Sequence, residues 1–220
     1  MDESNKIFHR TLFLNGPAGR LEALLWTSSK AAPAMAALVC HPHPLYGGTM
    51  HNKVVFQAAK RLHALGLPVL RFNFRGAGLS EGEHDRGRGE REDVRAALDC
   101  LAGEFPGLPV VLAGFSFGAW VGLRVGAEDA RVARLIGIGI PVNDSDFSYL
   151  LGSTKPKLFV VGTEDHYAAQ ERVAELVDSL AEPKQLVFVQ GAGHFFNGKL
   201  DILGRAITEW MERDGTSEGI

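Results

Sequence analysis

Hydrophobic and polar positions divide the chain into two patterns. Residues 8–14 and 21–27 are β-rich, and Gly16-Pro17-Ala18-Gly19 between them reads as a hairpin turn. From residue 36 the pattern changes to short apolar runs at 36–40, 68–74, 110–115, 135–140, 158–161 and 186–189. A continuous apolar run, without alternation, predicts a strand buried on both faces. Segments at 54–65, 90–105, 168–180 and 200–211 read as helices, and another helix begins at 119–125. Gly66 and Pro106 end the first two helices, and Pro141 stops the strand before it. Strands separated by helices predict right-handed crossovers and a mostly parallel sheet of about eight strands, with helices on both faces. No internal repeat or low-complexity linker interrupts this α/β pattern, so residues 1–220 read as one domain. Residues 214–220 read as a frayed end.

Composition narrows the function classes. A net charge of −3 gives no electrostatic case for nucleic acid or an anionic membrane. No apolar run approaches transmembrane length, and residues 1–6 are polar and lack a signal-peptide core. Cys40 and Cys100 lie in apolar surroundings and read as buried free thiols rather than a disulfide framework. These features predict a cytoplasmic protein.

The chemistry enters at residues 110–120. An apolar run ends in Gly114-Phe115-Ser116-Phe117-Gly118, and a small, apolar, helix-like segment follows at once. This is the strand–turn–helix context of a nucleophile elbow, which predicts Ser116 as the nucleophile. Side chains at the two glycines would collide with the neighbouring strand and helix, and the next helix aims its N-terminal N–H groups at the same spot. Gly78-Leu79-Ser80-Glu81-Gly82 has the same spacing, but with 26 glycines a chance match is unsurprising. It runs into a charged, glycine-rich stretch where no helix starts cheaply, so Ser80 reads as a loop residue.

Four stretches carry a family resemblance: His41-Pro42-His43-Pro44-Leu45-Tyr46-Gly47-Gly48-Thr49-Met50-His51-Asn52, Arg71-Phe72-Asn73-Phe74-Arg75-Gly76-Ala77-Gly78-Leu79-Ser80, the Ser116 elbow and Gly193-His194-Phe195-Phe196. Over nearly its whole length the chain resembles the α/β-hydrolases, and within them the small, lidless bacterial serine hydrolases allied to carboxylesterases and dienelactone hydrolases. The latter use a cysteine where this chain has Ser116. The resemblance implies a central sheet without a cap domain and the chain order nucleophile, acid, histidine. Only His166 and His194 follow Ser116. His166 adjoins the candidate acid and reads as a loop residue; His194, in a glycine-rich turn after the last strand, is the predicted base. Similar hydrolases carry the carboxylate three residues after a strand-ending glycine, which implies Asp165, at the carboxyl end of a strand. Glu164 should point away, and Asp144, after the preceding strand, is the alternative acid. Oxyanion donors are expected at the N–H of Phe117 and, by likeness to related enzymes, of His43, with Leu45 as the other choice; Pro42 and Pro44 have no N–H.

Aromatic side chains near these loops predict a pocket, with Leu45, Tyr46, Tyr149, Tyr167 and Phe195 as lining candidates and Phe115 and Phe196 as core. His41, His43 and His51 do not read as a metal site: no carboxylate or cysteine lies at ligand spacing except Cys40, which should point to the other face of its strand from His41, and His41 and His51 are expected to shape their loop through hydrogen bonds. Residues 81–93 read as a solvated loop before a helix. No nucleotide-binding glycine motif is present, so no cofactor is expected. The predicted function is hydrolysis of short-chain esters through an acyl-enzyme, with a small-molecule ester as the partner. Thioesterase, acyltransferase and peptidase activity share that intermediate, and a non-catalytic ligand-binding member of the fold is the other class.

Overall fold

The structure, a computed structural model, describes residues 7–28 and 33–213, so the expectations for the two chain ends lie outside the described residues. Two antiparallel strands, β1 (Ile7–Gly16) and β2 (Gly19–Ser28), form the expected hairpin, in which Gly16 pairs with Gly19. The chain then alternates through β3 (Ala36–Cys40), α1 (Lys53–Ala64), β4 (Val69–Phe72), α2 (Arg88–Glu104), β5 (Val110–Phe115), α3 (Phe117–Glu128) and β6 (Val132–Ile138). It closes with β7 (Lys157–Gly162), α4 (Gln170–Ser179), β8 (Lys184–Val189) and α5 (Leu200–Arg213). The eight strands make one sheet in the order β1-β2-β4-β3-β5-β6-β7-β8, parallel from β4 to β8. This is the α/β-hydrolase fold. From β3 the chain steps to β4 on one side and then returns to β5 on the other. That reversal opens a crevice at the carboxyl ends of β3 and β5, where open α/β sheets hold ligands.

Alternation along the central strands sends successive side chains into two cores. Leu38, Cys40 and Leu112 join Val94, Leu98 and Leu101 of α2, Val121 and Leu123 of α3, and Val173 and Val177 of α4. Val39, Val111 and Ala113 join Val54, Val55 and Leu62 of α1 and Leu203, Ile207 and Trp210 of α5 on the opposite face. Cys40 and Cys100 are free thiols; Cys40 is buried, whereas Cys100, contrary to expectation, is only half-buried.

The differences from the sequence expectation have local causes. β4 stops at Phe72 because the backbone beyond it leaves the ladder: Asn73 N–H still donates to the Glu22 carbonyl of β2, but Phe74 N–H donates to the His41 ring. β6 stops at Ile138 because Gly139 takes φ +50°. Helix α2 begins inside the glycine-rich run because carboxylates cap it: Glu90 accepts the N–H groups of Asp85 and Gly87, and Asp85 accepts that of Gly89. The run is also not simply solvated. Glu90 and Asp93 are fully buried, and Asp93 holds the Arg75 guanidinium at 2.6 Å. Between β6 and β7 the chain forms a single 3-10 turn at Ser148–Leu150, and no cap is present among the described residues. Within them, no helix is long and apolar enough to cross a membrane.

Candidate active site

Three strand ends converge in the crevice. Ser116 directly follows β5 with φ +55° and ψ −119°, a conformation that L-residues avoid and that persists only under tertiary constraint. The constraints are visible on both sides. A Cβ at Gly118 would lie 2.4 Å from the His41 carbonyl oxygen, and one at Gly114 would lie 2.4 Å from that of Gly118. Ser116 N–H donates to Ile138 of β6, while its carbonyl accepts the N–H groups of Ala119 and Trp120, starting α3.

The turn after β8 brings His194 over this serine. Its Nε2 lies 3.0 Å from Ser116 Oγ, and its Nδ1 lies 2.8 Å from Asp165 Oδ2. A carboxylate accepts only, so the imidazole proton is assigned to Nδ1, and Nε2 is left to accept from the serine hydroxyl. The Asp165 side chain is fully buried at the end of β7, and its other oxygen accepts Tyr167 N–H at 2.9 Å. Rings of Phe115, Tyr167 and Phe195 pack around the imidazole at 4.7–5.3 Å. Asp144 is exposed on the neighbouring connection, and the carboxylate on His194 is that of Asp165; Glu164 and His166 are also exposed.

The loop after β3 supplies backbone donors. His41 is buried with both ring nitrogens engaged, Nδ1 donating to Pro42 carbonyl at 2.6 Å and Nε2 accepting Phe74 N–H at 2.9 Å. Burial lowers its pKa to about 3. Among the described residues the N–H groups of His43 and Phe117 have no hydrogen-bond partner. Leu45 is excluded as the alternative donor, because its N–H bonds to His43 Nδ1 at 3.3 Å. Burial, and then the neighbouring His84, lower the His43 pKa, which keeps that nitrogen an acceptor. His51 does not shape the loop as expected: its ring is exposed and makes no hydrogen bond among the described residues. Ser80 is structural, its hydroxyl donating to Asn73 carbonyl and accepting Glu22 N–H.

A cleft of about 550 Å³ opens above Ser116 and His194. Of the proposed lining residues, Tyr46, Tyr167 and Phe195 border it. Leu45 and Tyr149 do not. Leu45 projects outward, 69% exposed. Tyr149 turns beneath the site, where its hydroxyl donates to Trp120 carbonyl at 2.9 Å and Arg124 stacks on its ring. Sequence reasoning missed Trp120, His84 and Arg86 as lining residues. Trp120 is one helical turn beyond Ser116, a spacing that puts it on the same face of α3. His84 and Arg86 carried no signal within a run that looked solvated.

Comparison with known proteins gives this geometry a family. Residues 33–145, just over half of the chain, match the family model described as serine aminopeptidase, S33. This chain belongs to the α/β serine hydrolases. An α/β serine hydrolase homologue from Coxiella burnetii superimposes on this hydrolase with a TM-score of 0.86 at 38% identity, covering 91% of this chain and 96% of that one. Protein XC6422 from Xanthomonas campestris, described as a serine hydrolase without lid, superimposes with a TM-score of 0.85 at 35% identity, over 97% and 96% of the two chains. The uncharacterized protein RP471 of Rickettsia prowazekii is 37% identical over 209 residues, 91% of this hydrolase and 87% of the relative.

Proposed function

We propose that this hydrolase cleaves small carboxylic esters through an acyl-enzyme on Ser116, with His194 as base, Asp165 as its orienting carboxylate and the N–H groups of His43 and Phe117 as oxyanion donors. The observation that carries this reading is the unbroken chain of contacts Asp165–His194–Ser116 on a strained elbow. Ser116 Oγ attacks the ester carbonyl carbon as its proton passes to His194 Nε2. The oxyanion meets two fixed N–H donors that spend no hydrogen bond elsewhere. The imidazolium, steadied by Asp165, then protonates the departing alkoxide, and the C–O bond breaks. Water repeats the cycle on the acyl-enzyme and releases the acid. No step requires a cofactor. A reducing cytoplasm suits the two unpaired cysteines.

A fluorophosphonate probe tests the reading directly. It should label the wild type, and Ser116→Ala should abolish labelling and lower hydrolysis of an activated short-chain ester by about 10⁴-fold or more. Ser80→Ala should keep both. If Ser80→Ala is the inactive variant, the nucleophile is wrongly assigned. A peptidase reading has one observation in its favour: Asp144, a carboxylate lining the cleft without an ion-pair partner among the described residues, has the right charge for a substrate ammonium. Hydrolysis of aminoacyl arylamides ahead of esters, lost in Asp144→Asn, would select it.

A further inference from the structure

The cleft wall formed by residues 84–86 has no part in the mechanism above, yet it is built with care. His84 is nine-tenths buried, 9% of its side chain remaining exposed. Its Nδ1 turns inward to within 2.7 Å of Oε1 of the fully buried Glu90, although the angle is not that of a hydrogen bond. Both Glu90 oxygens already accept backbone N–H groups, which holds the carboxylate in place. With Nδ1 turned toward that carboxylate, the ring is set as part of the cleft wall.

Arg86 stands beside it on the same wall. It occupies the first central position of a tight turn closed by Arg88 N–H on Asp85 carbonyl, with φ +52° at Arg86 and +85° at Gly87. Such turns favour Gly or Asn there, so an arginine is costly to the backbone. Its guanidinium forms no ion pair among the described residues, although acidic side chains surround it in sequence. Among the described residues, Asp144 is the one carboxylate lining the cleft, and it is not paired with Arg86.

We propose that Arg86, on the cleft wall beside His84, forms an anion subsite, and that the preferred substrate is an ester whose acyl part ends in a carboxylate, a monoester of a short dicarboxylic acid. The inference rests on the ester reading of Ser116 and deepens it. The orientation follows from that chemistry. At the tetrahedral carbon the oxyanion faces the backbone donors, and the leaving oxygen faces His194, which must protonate it. Tyr167 and Phe195 pack on the His194 ring and belong to the leaving-group side. The His84 ring lies 4.7 Å from that of His43 and 5.5 Å from that of Phe117, away from His194, on the side left to the acyl chain. A distal carboxylate there receives the Arg86 guanidinium, while the His84 ring, its Nδ1 turned to Glu90, fills the wall beside it. Charge-assisted bonds of this kind are the stronger ones.

Monoethyl glutarate and ethyl pentanoate, compared by acid release, test the subsite. The wild type should prefer the anionic ester in kcat/KM by roughly tenfold to a hundredfold, the worth of one hydrogen bond to a charged group. Arg86→Asn, which suits the turn better and so should not lower Tm, should bring the ratio close to one. Arg86→Lys should keep part of the preference. Arg88→Asn, two residues further on and outside the cleft, should keep all of it. A wild-type ratio at or below one, with ethyl pentanoate turned over and Ser116 labelled by the probe, overturns the subsite and leaves the ester reading intact. Failure of both esters together with the probe overturns both. A ratio unchanged in Arg86→Asn also overturns the subsite.

Discussion

Asp165 and Asp144 differ in what their carboxylates can reach, and this decides their expected roles. Asp165 is buried against His194 Nδ1 and is held from its other oxygen by Tyr167 N–H, so its position is fixed before substrate arrives. Asp144 is exposed and faces the cleft. Asp165→Asn places an amide where the imidazole proton needs an acceptor and disturbs the tautomer; kcat should fall by roughly 10²–10⁴-fold. Asp144→Asn should cost a short-ester substrate far less. Steady-state kinetics of the two variants check this, and a more damaging Asp144→Asn would reverse the assignment. These residues were legible in the sequence because each sits just past a strand-like run, where the fold gathers its chemistry. Tyr149 was misplaced for a different reason: chain proximity to the cleft does not set rotamer direction, and its hydroxyl bonds the Trp120 carbonyl beneath the site. His84 and Arg86 were invisible because burial of Glu90, which organises their loop, is a tertiary fact that a charged run conceals.

At the scale of elements, His41 joins the end of β3 to the chain leaving β4. Its Nε2 accepts Phe74 N–H, and its Nδ1 donates to the Pro42 carbonyl, so the oxyanion loop is anchored from a neutral ring. Burial holds the folded-state pKa near 3, against 6.5 for the free side chain. The sign follows from proton counting. Between these values the unfolded chain binds a proton that the folded chain does not, so acid favours unfolding there. This group's contribution is complete above pH 6.5 and declines as pH falls toward 3. Over that window it should be on the order of several kcal/mol. Urea unfolding from pH 7 downward should therefore show a declining midpoint, and His41→Gln, which keeps an acceptor for Phe74 N–H, should flatten the decline. An equal slope in the variant would assign the acid sensitivity to other groups. The order of strands and helices was readable because continuous apolar runs report burial on both faces. Element ends were less so: β4 and β6 stop where the Phe74 N–H bond to His41 and the positive φ of Gly139 intervene, neither of which hydrophobicity records.

For the whole molecule, the decisive feature is what lies over the sheet. The β6–β7 connection forms one 3-10 turn and adds no layer, so the cleft wall is made of residues from six connections and the first turn of α3. Such a wall meets an acyl chain over a limited length. While methylenes lie against Phe117 and Trp120 they gain about 0.8 kcal/mol each, close to fourfold in kcat/KM. Beyond the wall they re-enter water and gain nothing. An acyl series of neutral esters should therefore rise over the first few carbons and then level off. No jump in rate should occur above the micellar concentration, because no lid among the described residues awaits opening. The anion subsite sharpens the same expectation: a carboxylate placed at the plateau length should raise kcat/KM where a further methylene does not. Measuring the neutral and ω-carboxylate series side by side separates the two effects. A steady rise to long neutral chains would mean that an apolar surface extends well past Trp120, and the short-chain assignment would fall.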